Sequence, residues 1–335
     1  MAILVTGGAG YIGSHLVAYL IEKGMKVIVI DNLQTGHREA IHPKAIFYKS
    51  DIRSSESVMN IFMKEKIEAV FHFAAASLVG ESTNDPLKYY DVNVSGTRIL
   101  LEVMSRYGVK YLVFSSSAAV YGDSHVQPIK ENFPLKPTNP YGETKLAMER
   151  MIKWWGDAFD ASYVSLRYFN AASAKETGEL GEDHLPETHL IPIILQAALG
   201  IREYVTVYGD NYPTKDGTCI RDFIHVEDLA EAHLMALRYL QNGGKSDVLN
   251  LGNTSGYSVK EVISTSIEET GKNIKVIVGE RRSGDPAELI ACSDKAFKIL
   301  GWKPSKSSIR KIIQDAWRWH KKHPEGYKSK SAFHK

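Results

Sequence analysis

Thr6-Gly7-Gly8-Ala9-Gly10-Tyr11-Ile12-Gly13 decides the fold of this chain. It follows the apolar run Met1-Ala2-Ile3-Leu4-Val5, too short for a helix and β-branched enough for a buried parallel strand. It precedes Ile12, Leu16, Tyr19 and Leu20, whose spacing predicts an amphipathic helix. Gly8, Gly10 and Gly13 satisfy G-x-G-x-x-G, and Gly7, Gly10 and Gly13 satisfy G-x-x-G-x-x-G. Between strand and helix, such glycines permit a tight turn, close approach of a pyrophosphate and packing of helix on strand. The helix N-terminus then offers free N–H groups and a partial positive charge to phosphates. Alone, the triplet is equally compatible with a structural turn. The next apolar run, 26–30, ends in Asp31, 18 residues after Gly13. A carboxylate there accepts from both ribose hydroxyls of an adenosine and repels a 2′-phosphate. Together the two features read as a site for NAD rather than NADP.

Outward from that turn, short apolar runs alternate with helical patterns. Strands are predicted at 2–6, 26–30, 45–49, 68–74, 110–115 and 161–167, with helices near 12–23, 54–65, 86–107 and 141–159. This rhythm specifies a Rossmann-type α/β fold, a doubly wound parallel sheet with helices on both faces. Asp85-Pro86 and Asn139-Pro140 read as N-cap and N1 pairs opening two long helices. After residue 173 loops lengthen, as in 178–183 and 208–217, and periodic pieces shorten. Residues 1–173 are therefore expected to form an NAD-binding domain, with a return of the chain to it around 223–240. Residues 174–335 are expected to form mainly a smaller α/β substrate-binding domain over the carboxyl ends of the strands, where ligands bind in open α/β sheets.

Composition narrows the class without naming a ligand. A 335-residue chain with 44% hydrophobic and 24% charged residues can bury a large core. A net charge of +2 and the lack of a basic stripe argue against nucleic acid, and the Lys-rich stretch after Trp319 reads as a solvated end. No apolar run approaches the roughly 20 residues that span a bilayer. Two cysteines, Cys219 and Cys292, suit a reducing compartment. With the first strand starting at the initiator methionine, no signal peptide is expected and the expected location is cytoplasmic.

The chemistry is carried further along. Tyr141-Gly142-Glu143-Thr144-Lys145 opens the helix after Pro140, and residues four apart share a helix face. A phenol titrates near ~10 and is a poor base at neutral pH, but a nearby ammonium, or the positive ring of NAD+, favours phenolate. An inward tyrosine with a snorkelling lysine is the plainer alternative. Val113-Phe114-Ser115-Ser116-Ser117 carries an apolar strand into hydroxyls at its carboxyl end, where a nicotinamide would lie. Serines that merely end a strand would look the same, but glycine turn, Ser117 and the Tyr141/Lys145 pair support one another.

On these motifs the chain is identified as a member of the extended short-chain dehydrogenase/reductase family along essentially its whole length. Within it, the chain resembles the 4-epimerases of UDP-glucose and UDP-galactose. The stretches that carry the resemblance include 4–15, 31–33, 72–75, 79–82, 114–122, 139–145 and 166–170. The most diagnostic is Asp216-Gly217-Thr218-Cys219-Ile220-Arg221-Asp222-Phe223-Ile224-His225-Val226. The resemblance implies that Tyr141 takes the proton of the sugar 4-hydroxyl, that Lys145 tunes it and holds the nicotinamide ribose, and that Ser117 bridges sugar and tyrosine. Hydride passes to resident NAD+ and returns to the opposite face of a 4-keto sugar. It further implies NAD contacts at Gly7, Gly10, Tyr11, Ile12 and Gly13, at Asp31, Asn32, Thr35 and Gly36, and at Asp51 and Ile52 near adenine. Phe73, Ala74, Ala75, Asn93 and Phe169 complete them. For the UDP-sugar it implies Asn170, His189, Leu190, Thr206, Tyr208, Arg221, Arg282 and Asp285. Two arginines from separate loops suit a diphosphate, each presenting a planar fork of donors. A homodimer through the helices at 86–107 and 141–159 is implied as well.

Three positions depart from the family pattern. Ser77 stands where many relatives have a lysine, Phe223 where they have a tyrosine, and Leu289 at the position that governs entry of N-acetylated sugars. Other readings within the family are a 4,6-dehydratase, a decarboxylase, or an epimerase of uronates or N-acetylhexosamines. A dehydratase needs an extra acid and base after the strand serine, where this chain has Ala118 and Ala119, which transfer no protons. His72 reads as a hydrogen-bonded core histidine, and Trp302, Trp317 and Trp319 as packing residues. His225 with Glu227 and Asp228 lacks partners at ligand spacing and reads as a helix start, so no metal is expected.

Overall fold

The computed structural model describes residues 2–123, 126–282 and 285–327. Met1 and residues 328–335 of the Lys-rich stretch therefore lie outside the described residues. The strands are β1 (Ala2–Thr6), β2 (Lys26–Asp31), β3 (Ile46–Lys49), β4 (Ile67–His72), β5 (Tyr111–Ser117), β6 (Ser162–Tyr168) and β7 (Asn170–Ala172). They continue with β8 (Val205–Tyr208), β9 (Ile220–His225), β10 (Asp247–Leu251), β11 (Gly256–Ser258), β12 (Val276–Gly279) and β13 (Glu288–Leu289). Seven of them form a parallel sheet in the order β10-β6-β5-β4-β1-β2-β3.

Alternation along the central strands divides the core into two layers. Ile3, Val5, Val27 and Val29 face helices Tyr11–Glu22 and Val226–Gln241, packing with Leu16, Leu20, Leu229 and Leu237. Leu4, Ile28 and Ile30 face the other way, onto Val58, Leu100, Met104, Met148 and Ile152. Strands buried on both faces are why these runs are almost uninterruptedly apolar. Trp302 belongs to the first layer, Trp317 packs in a third cluster with Ile194, Val207 and Ile312, and Trp319 is buried beside Tyr327. All three are packing residues, as their apolar surroundings require.

Four details differ from the sequence reading. β5 does not end at residue 115. It runs through Ser117, because Ser115, Ser116 and Ser117 pair with Leu166, Arg167 and Tyr168 of β6. A seventh strand, β10, joins the edge beside β6, in a region where the periodicity had faded. The expected helix 86–107 is α-helical at Pro86–Tyr89 and Gly96–Arg106, but opens into a π-turn at Tyr90–Ser95. The expected helix 141–159 starts one residue earlier, at Pro140. Both proline-led starts are capped as read, Asp85 accepting from the Lys88 amide and Asn139 from the Gly142 amide.

The strands outside the seven-stranded sheet make two further sheets. β9 is flanked by β11 and β13 and also pairs with β7, while β8 and β12 make a separate two-stranded sheet. Among the described residues, no helix is long and apolar enough to cross a membrane.

Candidate active site

A cavity of about 660 Å³ opens where the carboxyl ends of β1, β4 and β5 meet the smaller region. One end is the glycine turn. Gly7 has φ +74°, and a Cβ there would lie 2.6 Å from the Ala74 nitrogen. A Cβ at Gly13 would lie 2.2 Å from the Gly7 carbonyl oxygen. The N-cap of the first helix is Gly10, which has no side chain to satisfy the helix N–H groups. Those donors are thus left for an anion. Asp31 braces the turn, its two oxygens accepting from the Ala9 and Leu33 amides at 3.0 and 2.9 Å while the residue lines the cavity. These features fit the diphosphate and ribose of NAD. Asn32, Thr35, Asp51 and Ile52 continue the wall. The Arg53 guanidinium holds the Asp51 carboxyl well below the usual carboxylate range.

Further along, Phe73, Ala74 and Ala75 line the wall with Ser117, Tyr141, Lys145 and Phe169. Burial pushes the Tyr141 phenol up, and the nearby Ser117 hydroxyl works against this. Lys145 is 3% exposed; Nζ donates to the Ser115 carbonyl at 2.9 Å and lies 5.9 Å from the Tyr141 ring centroid. Burial lowers its pKa to about 7, against the pull of Glu149 one turn along the helix. The protein alone therefore keeps this phenol protonated, and the lysine charge expected to activate it is itself weakened by desolvation.

Behind the pair runs a buried network. Arg167 bonds Glu149 through two nitrogens, at 2.8 and 2.5 Å, and Ser116 donates to the same carboxylate at 2.5 Å. Both charged side chains are almost fully enclosed, at 4% and 6% exposed. Arg167→Met is expected to cost about 3–5 kcal/mol of unfolding free energy, because it strands the Glu149 charge. Chemical denaturation measures this, and a loss below about 1 kcal/mol would show the pair to be replaceable.

The far end takes Asn170 of β7 and, from further along the chain, His189, Leu190, Thr206, Tyr208 and Arg221, with Arg282, Asp285 and Leu289 beside them. Arg221 is fixed by Asp285 at 2.6 Å and by the carbonyls of Ile220 and Pro286. Asp285, expected on the UDP-sugar side, thus already holds a guanidinium. Arg282 stacks over the Tyr208 ring at 4.0 Å. Ser173, next to this wall, has φ 88°; its carbonyl accepts from the Tyr11 hydroxyl at 2.7 Å, joining glycine turn to sugar side.

Two of the expected contact residues also pack closely against the protein. Gly36 packs against the Ala9 backbone, where a Cβ would come within 2.8 Å. Asn93, on the π-turn, is fully buried; it bonds both backbone groups of Ala76 and the Thr144 hydroxyl, holding the loop after β4. Glu81 and Lys88, paired at 2.6 Å, line the cavity together with Ser77, and Glu182 and His184 line its sugar side. Apart from Ser77, none of these was named as a site residue from the sequence; for Glu182 and His184, E-x-H-x-x-E-x-H at 182–189 is the visible signal. His72 is buried between the Thr6 and Thr97 hydroxyls at 2.7 and 2.9 Å, and burial lowers it to about 3. His225 caps the helix that follows it, accepting from the Glu227 amide.

Comparison with known proteins agrees with this geometry. Residues 3–252 match the NAD dependent epimerase/dehydratase family. The chain is 55% identical to the UDP-glucose 4-epimerase of Halalkalibacterium halodurans over 331 residues, 99% of each chain. It is similar to a crystal structure of a UDP-glucose 4-epimerase at TM-score 0.96 and 53% identity, covering 98% of this chain and 99% of that one. It also matches the Bifidobacterium longum UDP-glucose 4-epimerase, solved with NAD+ and UDP, at TM-score 0.92 and 38% identity over 97% of this chain and all of that one.

Proposed function

The chain belongs to the NAD dependent epimerase/dehydratase family, and on that premise we propose that it inverts C4 of UDP-glucose and UDP-galactose through a transient 4-keto sugar. It is an isomerase and uses NAD. When bound, NAD supplies the acceptor of the C4 hydride and the donor of its return, so no net oxidation occurs. The observation that carries the reading is the convergence of Tyr141, Ser117 and Lys145 on one cavity whose next residues are Ala118 and Ala119.

Tyr141 takes the proton of the 4-hydroxyl and later gives it back. Ser117, on the cavity wall with that phenol, holds the sugar oxygen in line with it. Lys145 supplies positive charge beside the phenol and a donor for the ribose of the cofactor. The NAD contacts are those of the glycine turn, Asp31, Asn32, Thr35, Asp51, Ile52 and Phe73 to Ala75. Gly36 and Asn93 also hold these loops. Arg221 and Arg282 take the UDP diphosphate, and Asn170, His189, Leu190, Thr206 and Tyr208 frame the nucleotide sugar. In this division residues 1–173 serve the cofactor and 174–335 mainly the sugar. The helix Val226–Gln241 and strand β10 support the cofactor side.

A homodimer through the helices at 86–106 and 140–159 is part of the same reading, supported by exposed Leu87, Tyr90, Trp154 and Phe159. The two buried free cysteines support a reducing, cytoplasmic location.

Product analysis tests the reaction class. UDP-glucose incubated with the protein is expected to yield UDP-galactose, because only Ala118 and Ala119 follow Ser117. A UDP-4-keto-6-deoxy sugar would replace epimerisation with dehydration.

A further inference from the structure

The loop that closes the sugar side of the cavity carries two Glu-x-His pairs, Glu182/His184 and Glu187/His189. One ligand atom from each lies within 4.8 Å of all the others. The Nδ1 atoms of His189 and His184 stand 2.7 and 3.3 Å from the same Glu182 oxygen, and 3.3 and 3.7 Å from oxygens of Glu187. These separations bracket the edge of a tetrahedron with bonds of about 2.0–2.1 Å, which is about 3.3 Å. Their directions matter as much. Neither Glu182 Oε1 nor His184 Nδ1 forms a hydrogen bond, although both atoms are buried and the Glu182 side chain is only 4% exposed. A buried carboxylate oxygen and an imidazole nitrogen face one another without a well-aligned N–H between them. Buried polar atoms this close but not hydrogen-bonded are costly unless something else satisfies them.

We propose that Glu182, His184, Glu187 and His189 form a four-coordinate site for Zn2+ that locks the wall of the sugar pocket. Two carboxylates neutralise the dication, and mixed imidazole and carboxylate donors suit Zn2+ over Mg2+ or Ca2+, which favour all-oxygen sets. All four ligands fall within eight consecutive residues, so the chelate closes short loops. The site is held from outside. Glu187 Oε1 also accepts from the Thr188 and His189 amides at 2.8 and 2.9 Å, and the Glu182 carbonyl accepts from the Trp319 indole. Coordination through Nδ1 leaves Nε2–H of His189 as a donor at the cavity wall. His184 packs its ring edge-on to Tyr11, 6.2 Å away, at the start of the first helix. A metal here would tie the sugar-side loop to the glycine turn.

The test uses the full chain without a histidine tag, treated with a chelator and then given equimolar Zn2+. Retention of Zn2+ through gel filtration, a rise in Tm on adding it, and the intense visible absorption of tetrahedral Co2+ in its place are the expected results. His184→Gln and Glu187→Gln are each expected to weaken Zn2+ binding at least about tenfold. Glu187→Gln keeps an oxygen for the two amides, so it removes the ligand charge while sparing the loop, and circular dichroism checks the fold of both variants. No Zn2+ retained, a pale octahedral Co2+ spectrum, or binding undiminished in both variants would overturn the site and leave two imidazolium–carboxylate pairs.

Discussion

Tyr141→Phe is expected to lower kcat by about 10²–10⁴, the usual contribution of a positioned acid–base group. The substitution removes only the oxygen that exchanges the 4-hydroxyl proton. The aromatic ring still fills its place near Lys145, whose Nζ is anchored on the Ser115 carbonyl and not on the phenol. Fold, cofactor content and KM are therefore expected to change little. The same geometry predicts a titration difference. Burial raises the phenol in the chain alone, and the positive nicotinamide ring acts in the opposite direction. Tyrosinate absorbance lost in the Phe variant should consequently appear at lower pH in the protein loaded with NAD+ than in the stripped protein. Wild-type turnover in Tyr141→Phe would remove the phenol from the mechanism.

Gly13→Ala is expected to empty the cofactor site. One methyl group would meet the Gly7 carbonyl oxygen at 2.2 Å, and that oxygen already accepts from the Gly10 amide. The neighbour is backbone and has no rotamer to yield, so the turn itself must move. Overpacking of this kind costs about 1–3 kcal/mol, and each 1.4 kcal/mol is about tenfold in binding. The Kd for NAD, titrated into the stripped variant, should rise about 5- to 150-fold, with less NAD retained through purification. Gly80→Ala is the control: a Cβ there meets nothing within 4 Å, and full cofactor content is expected. Stoichiometric NAD in Gly13→Ala would mean that the turn does not cradle the diphosphate.

What the sequence exposed and what it hid have physical causes. The glycine turn, the Tyr141/Lys145 spacing and the proline-led helix starts are local patterns, and local geometry enforces them. The buried β1, β2, β4 and β5 were legible because strands covered on both faces must be apolar throughout. The carboxyl end of β5 was not, since its serines are held by pairing with β6, a partner about fifty residues away. β10 was missed for a similar reason: Asp247 and Asn250 interrupt its apolar run, and the sheet edge supplies the missing register. The π-turn around Asn93 serves a tertiary contact, the backbone of Ala76, which no helical periodicity announces. Glu182 and His184 sit in an aperiodic loop whose convergence depends on the chain folding back on itself. Resemblance placed His189 in the sugar pocket, but only the structure brings it to Glu182.

The dehydratase alternative is separated from epimerisation by side chains too small to do its work. Ala118 and Ala119 both line the cavity beside Ser117, so an acid and base for removal of water would have to come from another wall. Glu81 is the carboxylate nearest to that description, and it is committed to Lys88 and the Tyr89 hydroxyl.

The most direct test of the account is to give the purified protein UDP-galactose with no nicotinamide cofactor added and to resolve the nucleotide sugars that result. Appearance of UDP-glucose, with NAD+ or NADH released from the same preparation on heating, is the predicted result. No UDP-glucose, or conversion only when NADPH is supplied, would contradict it.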